Sequence, residues 1–282
     1  MMRDWLGPFD PSDRRLDPRA AGVAVDAAEP VSVAVPVADL RRLPDAACPI
    51  DTQVLFGAPL GRLAQRDGWS FVRAATDGYV GWTHDDNLVD GERRATHVVR
   101  AARAPLFPGP DMKFPVRRFL SMGSRVEVVG EAETRGTRYC LLAGGDAIAA
   151  TQLRPAVDRD ADPVAVARKL LGTPYVWGGA SAFGIDCSGL VQLAFAMCGR
   201  RVLRDSDMQA ATLGEEIGPG REYSNLRRGD LVFWRGHAAM AEGDGNLLHA
   251  NGFAMEVTSE PLVPAMRRIA AMYAPPICFR RP

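Results

Sequence analysis

Cys187 is the side chain in this sequence best placed to act as a nucleophile. It follows Tyr175-Val-Trp-Gly-Gly-Ala-Ser-Ala-Phe-Gly-Ile-Asp186 and opens Cys187-Ser-Gly-Leu-Val-Gln-Leu-Ala-Phe, the junction of a glycine-rich loop and an apolar helix. The first amide groups of a helix have no intrahelical acceptor and carry partial positive charge, which favours thiolate over thiol. A small buried cysteine would have apolar neighbours, not Gly-Ile-Asp before it and Ser-Gly after it. Two histidines lie downstream, His237 in Arg235-Gly-His-Ala-Ala-Met and His249 in Leu247-Leu-His-Ala-Asn. A cysteine at a helix start with such partners points to acyl transfer through a thiol ester.

In that scheme His237 takes the thiol proton. The sequence Gly243-Asp-Gly-Asn246 turns one strand back on the next. Antiparallel pairing across it brings His249 beside His237, where a third polar group would fix the orientation of the base. One cysteine and two histidines are also zinc ligands, but no CxxC or HxxxH spacing accompanies them, and His84 and His97 offer none either. The glycines at 178, 179 and 184 are not followed by the Lys-Ser/Thr of a phosphate loop. No metal or cofactor is expected.

The elements that must hold these residues read as helix first and antiparallel sheet afterwards, an α+β order. Asp162 caps a helix over 163–171 with Pro163 in its first position and Gly172 as its stop. A second helix runs from Cys187 to Met197, with Gly199 as terminator. Strands are predicted over 230–234, 238–241 and 246–249, and Asp205-Ser-Asp-Met-Gln opens a further helical turn.

Ahead of them the chain is different. Residues 1–28, rich in Pro, Asp, Arg and Ala, read as an extended or wrapping arm. Residues 29–92 carry short β-rich runs at 31–35, 53–56, 61–64, 69–73 and 79–82, punctuated by Gly and Pro, as in a small barrel. Residues 93–157 look like a weaker copy: Val54-Leu-Phe-Gly-Ala-Pro-Leu-Gly matches Phe119-Leu-Ser-Met-Gly-Ser-Arg-Val. An offset of roughly 65 residues suits duplicated barrels, not a solenoid. The domain from 158 to 282 then holds the candidate nucleophile.

The composition agrees with several soluble domains and excludes other classes. The 282 residues include 34 basic and 34 acidic side chains, so nothing suggests nucleic acid or a charged membrane face. No run approaches the length needed to span a bilayer, and the amino terminus has no apolar core of a signal peptide. Five cysteines at scattered positions suit a reducing, cytoplasmic location.

Tyr175-x-Trp-Gly-Gly, Asp186-Cys187-Ser-Gly-Leu-Val, Arg204-Asp-Ser206, Gly229-Asp-Leu-Val-Phe-Trp and His237, taken together, resemble the NlpC family of papain-like cysteine peptidases. His249-Ala-Asn stands in its third catalytic place. The motifs cover about 162–282, and the two barrels resemble the bacterial SH3-like domains that accompany this family. The whole arrangement resembles its γ-D-glutamyl-L-diamino-acid endopeptidases, also called dipeptidyl-peptidase VI. One departure is His237-Ala-Ala-Met in place of the usual His-Val-Gly-Ile, which keeps apolar character.

The resemblance implies a papain-like fold and hydrolysis of the γ-D-Glu–diamino acid bond in small murein peptides. Cys187 would attack the carbonyl, His237 protonate the leaving amine and His249 orient His237. The helix-start N–H and the Tyr175 hydroxyl would hold the oxyanion. Asp205 would pair with the ammonium of an N-terminal L-Ala, in a pocket lined by Asp186, Ser188, Ser206, Trp177 and Arg204. Tyr79 in Asp77-Gly-Tyr-Val-Gly-Trp would close the cleft and Asp51 would add a second carboxylate near the amine. The second barrel lacks the matching tyrosine, as a spacer would. Nucleic-acid and membrane partners are not implied, and the oligomeric state is left open. An amidase or acyltransferase on the same scaffold, and a non-catalytic binder of wall fragments, remain alternatives.

Overall fold

The computed structural model describes residues 12–19, 22–24 and 27–282. These divide into two compact units, one spanning Ser12–Arg159 together with Ser181–Phe183, the other Asp160–Ala180 and Gly184–Pro282.

The first unit is all β. Strands β1 (Glu29–Val33), β2 (Val37–Arg41), β3 (Ile50–Leu55), β4 (Pro59–Arg66), β5 (Trp69–Ala74), β6 (Val80–His84) and β7 (Leu88–Asp90) form one antiparallel sheet in the order 3-2-6-5-4-1-7. Its side chains alternate as one buried face requires, most clearly in β2, where Ala38 and Leu40 are buried and their neighbours are half-buried. Val31, Val33, Leu40, Val54, Leu60 and Val72 form its core. Only parts of the arm expected over 1–28 lie within the described residues. There, the Arg15 carbonyl accepts from the Val80 N–H, and Val23 packs beside Leu63, Phe71 and Trp82.

The same order recurs further on. Strands β8 (His97–Val99), β9 (Arg103–Leu106), β10 (Arg118–Ser121), β11 (Arg125–Val126), β12 (Val128–Thr134), β13 (Thr137–Leu142), β14 (Ala147–Ala149) and β15 (Leu153–Pro155) make three small sheets around Val99, Leu106, Leu120, Ile148 and Leu153. The last strand returns to the first in both copies: β7 pairs with β1, and β15 with β8. The two barrels are not independent. Phe56 packs on the second core and its carbonyl accepts from Arg125 N–H at 2.8 Å. Next to it Gly57 has φ +73°, and a Cβ there would lie 2.2 Å from the Arg125 carbonyl oxygen, so only glycine allows this contact.

The second unit begins with α1 (Pro163–Arg168), whose N-cap Asp162 accepts from the Val164 N–H at 2.9 Å, followed by the short β16 (Ala180–Ser181) and β17 (Gly184–Ile185). Helix α2 (Cys187–Met197) buries nine of its eleven residues, among them Leu190, Val191, Leu193 and Phe195. Each such side chain contributes about 1.5–3 kcal/mol by leaving water, which fixes a helix whose sequence is apolar all round. After α3 (Ser206–Thr212) and β18 (Glu215–Glu216) come β19 (Leu231–Trp234), β20 (His237–Ala241), β21 (Asn246–Asn251), β22 (Glu256–Pro261), α4 (Leu262–Met272) and β23 (Cys278–Arg281). They form a six-stranded sheet in the order 18-23-19-20-21-22.

Helix α2 packs along β20 and β21. Helix α4 lays Leu262, Ala265, Met266 and Ile269 on Val232, Trp234, Ala239 and Leu247. The strands expected over 230–234, 238–241 and 246–249 and both helices are present. Strands β2, β7, β22 and β23 and helix α4 were not anticipated. In α4 the proline at 264 masks the helical pattern, although the first turn of a helix tolerates it.

Candidate active site

The loop before α2 is shaped by close backbone packing. A Cβ on Gly179 would lie 2.6 Å from the Gly184 carbonyl oxygen and 2.8 Å from that of Val176. A Cβ on Gly189, inside the first turn of the helix, would lie 2.4 Å from the Gly179 carbonyl oxygen. Glycine at these places lets the loop fold directly onto the helix start, so the two Trp-Gly-Gly and Cys-Ser-Gly segments are one packed unit.

Asp186 locks that unit together. Its side chain caps α2 by accepting from the Gly189 N–H at 2.7 Å and reaches back to the Gly178 N–H at 3.0 Å. Arg204, 1% exposed, grips both of its oxygens at 2.9 and 2.7 Å, and also donates to Ser188 Oγ and the Gly179 carbonyl. Asp186, Ser188 and Arg204, expected to line the substrate pocket, thus direct polar groups at one another and at the loop backbone. A bidentate pair of this kind holds a shape as well as a charge.

Cys187 is the first residue of α2 and only 5% exposed. Its thiol donates to the Gly236 carbonyl at 3.9 Å, and the Ala238 and Ser188 N–H groups donate to the sulfur. The sulfur is therefore brought to the residues flanking His237. Burial, and after it the Asp186 charge, pushes the thiol up to about 12. Burial thus works against the thiolate that the helix N-terminus favours. Tyr175 is half-buried, and burial and the neighbouring Cys187 raise its phenol well above the ordinary range, so it stays a donor.

His237 opens β20 beyond the two-residue turn Arg235–Gly236, opposite Trp234, whose ring lies 5.4 Å from its own. Burial, then the His249 and Arg268 charges, lowers it to about 3, so the ring is neutral and able to accept a proton. The β20–β21 ladder pairs Ala241 with Leu247, which puts His237 and His249 on one face. His237 Nε2 lies 2.8 Å from His249 Nδ1. His249, 1% exposed, continues through Nε2 to Glu260 Oε1 at 2.7 Å, and Arg268 of α4 donates to the same oxygen. Sequence reasoning missed Glu260 and Arg268. Their only signal would have been a fourth strand after Asn251, which polar Thr258, Ser259 and Glu260 conceal.

The remaining residues are distributed as follows. Asp205 is the N-cap of α3 and makes no side-chain capping bond there, Ser206 is buried behind it, and Trp177 is 68% exposed. Tyr79 and Asp51 belong to the other unit. Tyr79 is buried with its N–H on Asp77 Oδ1, and Asp51 lies 3.7 Å from the Arg42 guanidinium. Among the described residues no group of three or more His, Cys, Asp and Glu side chains could hold a metal ion. What the site offers is a thiol, a neutral imidazole with a carboxylate-backed partner, a phenol donor and the amide end of a helix: the parts of covalent acyl transfer.

Comparison with known proteins agrees. Residues 172–268 match the NlpC/P60 family, and residues 40–88 match the bacterial dipeptidyl-peptidase SH3 domain. The chain is 28% identical over 236 residues to dipeptidyl-peptidase 6 of Lysinibacillus sphaericus, covering 76% of this chain and 85% of the relative. It is also 28% identical over 233 residues to a gamma-D-glutamyl-L-lysine dipeptidyl-peptidase of Bacillus cereus, covering 71% and 67%. The crystal structure of an NlpC/P60 family protein from Bacillus cereus superposes with a TM-score of 0.73 over 89% of this chain and 99% of that one. Their identity of 22% makes that a likeness of fold.

Proposed function

This chain carries an NlpC/P60 cysteine-peptidase domain behind a bacterial dipeptidyl-peptidase SH3 domain, and from that premise we propose that it cleaves the γ-D-glutamyl–L-diamino acid bond of murein peptides bearing a free N-terminal L-Ala. The observation that carries this reading is Cys187 at the start of α2, its sulfur against the backbone on either side of His237, the ring of which pairs with His249. The substrate class comes from the relatives named above.

In the reaction the Cys187 sulfur exchanges the Gly236 carbonyl for His237 Nδ1, the ring nitrogen that His249 leaves open. Sulfur attacks the γ-carbonyl as its proton passes to His237. Burial penalises a lone charge on either group, but this transfer creates two adjacent opposite charges, which the same surroundings tolerate better. The first N–H of α2 and the Tyr175 hydroxyl stabilise the oxyanion. His237 returns the proton to the departing amine, and water then attacks the thiol ester with His237 as base. Asp205 holds the substrate ammonium. A desolvated carboxylate left without its cation is costly, so this contact selects against blocked amines. The five free thiols suit a reducing compartment, and the proposed role is cytoplasmic trimming of peptides recovered from the wall.

The test is release of L-Ala-γ-D-Glu from L-Ala-γ-D-Glu-L-Lys and from its diaminopimelate counterpart. Release by the wild type and none by Cys187→Ala supports the reading. No release from either peptide defeats it. Undiminished turnover of the N-acetylated peptide removes the amine-recognition part.

A further inference from the structure

The face of the sheet under α4 carries a chain of polar side chains that crosses three adjacent strands and ends on the helix. His237 lies on β20, His249 on β21 and Glu260 on β22, and Arg268 comes down from α4. The β21–β22 register pairs Leu247 with Glu260, so Glu260 sits one diagonal from His249, as His249 sits one diagonal from His237. Contacts of 2.8 and 2.7 Å join the three.

This chain has one direction. An ionised carboxylate only accepts hydrogen bonds. Glu260 is held ionised, its carboxyl lowered first by the bond from His249 and further by Arg268. His249 must then carry its proton on Nε2 to donate to Glu260 Oε1, which makes Nδ1 an acceptor. His237 fills that acceptor with its own Nε2–H, and its Nδ1 is left with a bare lone pair. Reversed, His249 would donate from Nδ1, His237 would accept at Nε2, and a proton on His237 Nδ1 would confront the thiol with a donor instead of a base. Arg268 guards the direction twice. It shares Glu260 Oε1 with His249, and its positive charge opposes a second proton on the His237 ring. Its own place is set by stacking over the Phe253 ring, 4.2 Å from the centroid.

We propose that Glu260, held by Arg268, is a positioning residue that fixes both imidazoles as Nε2–H tautomers and thereby leaves His237 Nδ1 as the base for Cys187. The final clause rests on the peptidase reading above, while the tautomer order itself does not. Because Arg268 balances the carboxylate charge, what matters is an acceptor lone pair at this point, and an uncharged acceptor of the same shape should serve.

The experiment is ¹⁵N spectroscopy of the histidine-labelled protein near neutral pH, the two rings assigned with His237→Gln and His249→Asn, alongside kinetics of peptide cleavage. In the wild type both rings should show protonated Nε2 and bare Nδ1, and a proton on Nδ1 of either ring overturns the proposal without any Glu260 variant. Glu260→Leu should populate Nδ1–H forms and lower kcat on the order of 100-fold with KM within about threefold, a fraction of the roughly 10⁴-fold that a locked wrong tautomer can cost. Glu260→Gln should restore the wild-type tautomers and most of kcat. Tautomers unchanged in Glu260→Leu, whatever its activity, overturn it. Wild-type protein that shows the stated tautomers but cleaves no peptide counts against the peptidase reading alone.

Discussion

His237 Nε2 and His249 Nδ1 meet at 2.8 Å with ring centroids 5.1 Å apart, and this contact orients the imidazole whose backbone neighbours, Gly236 and Ala238, meet the Cys187 sulfur. It is a side-chain bond along a diagonal of a β ladder, so both backbone register and both ring tautomers must be right for it to form.

Cys187→Ala should abolish dipeptide release, by roughly 10⁴-fold or more, as loss of a covalent nucleophile does. Its melting temperature should stay close to that of the wild type, since the thiol's own donated bond, to the Gly236 carbonyl, is a long one. Steady-state kinetics and thermal melts of the two proteins check this, and residual activity within about tenfold would mean that another group attacks.

The resting protein should behave as a neutral thiol beside a neutral ring. The thiol is raised to about 12 and His237 is lowered to about 3, so between these values neither group changes charge in the free protein. Iodoacetamide should therefore modify Cys187 more slowly at pH 7 than it modifies an unhindered cysteine, with the rate climbing as pH rises. A plateau reached below pH 7 would reveal a preformed ion pair and contradict the effect of burial. The acid limb of kcat/KM should fall well below 6.5, where an ordinary histidine would put it.

On the alkaline side the substrate decides. If Asp205 reads an ammonium, kcat/KM should fall as the α-amine loses its proton near pH 8. Asp205→Asn should raise KM for the free-amine peptide while leaving an N-acetylated peptide as poor as before. Equal losses on both would remove the ammonium-reading role and leave Asp205 a structural one at the start of α3.

Arg204→Met should strip the Asp186 carboxylate of its buried partner. Removing one member of such a pair costs about 3–5 kcal/mol, read as a drop in urea midpoint with an unchanged slope. Activity should suffer as well, because Asp186 positions both the loop amides and the first turn of α2.

Gly179→Ala is the smallest change that should disturb the nucleophile without touching it. The added methyl would press on the Gly184 and Val176 carbonyls, both backbone atoms that cannot swing aside. A loss of about 1–3 kcal/mol is expected from this overpacking, together with lowered kcat. A variant as stable and active as the wild type would show that the loop has slack.

Local signals carried much of this molecule. Asp162-Pro163 announced α1, and Gly-Ile-Asp before Cys187 with apolar residues after it announced α2, because capping and helical periodicity act within a few residues. Gly243-Asp-Gly-Asn246 gave the hairpin that brings the two histidines to one face, since the side-chain period of a strand is two. The matching turns at Gly57 and Gly123, both at positive φ, made the duplicated barrels visible. The contact of Phe56 with the second core was not visible in that pattern.

Residue type and spacing were enough to single out a candidate nucleophile, a candidate base and, around them, helices α1 and α2 and strands β19, β20 and β21. Three things had to wait for the folded chain. Glu260 and Arg268 joined the histidines only through the register of β22 and the placement of α4, which no short-range pattern encodes. Arg204 found its buried carboxylate partner, Asp186, eighteen residues back in the chain. The thiol became a weak acid because packing removed the water that would have solvated its charge, and that packing is a property of the whole unit, not of the helix that carries the sulfur.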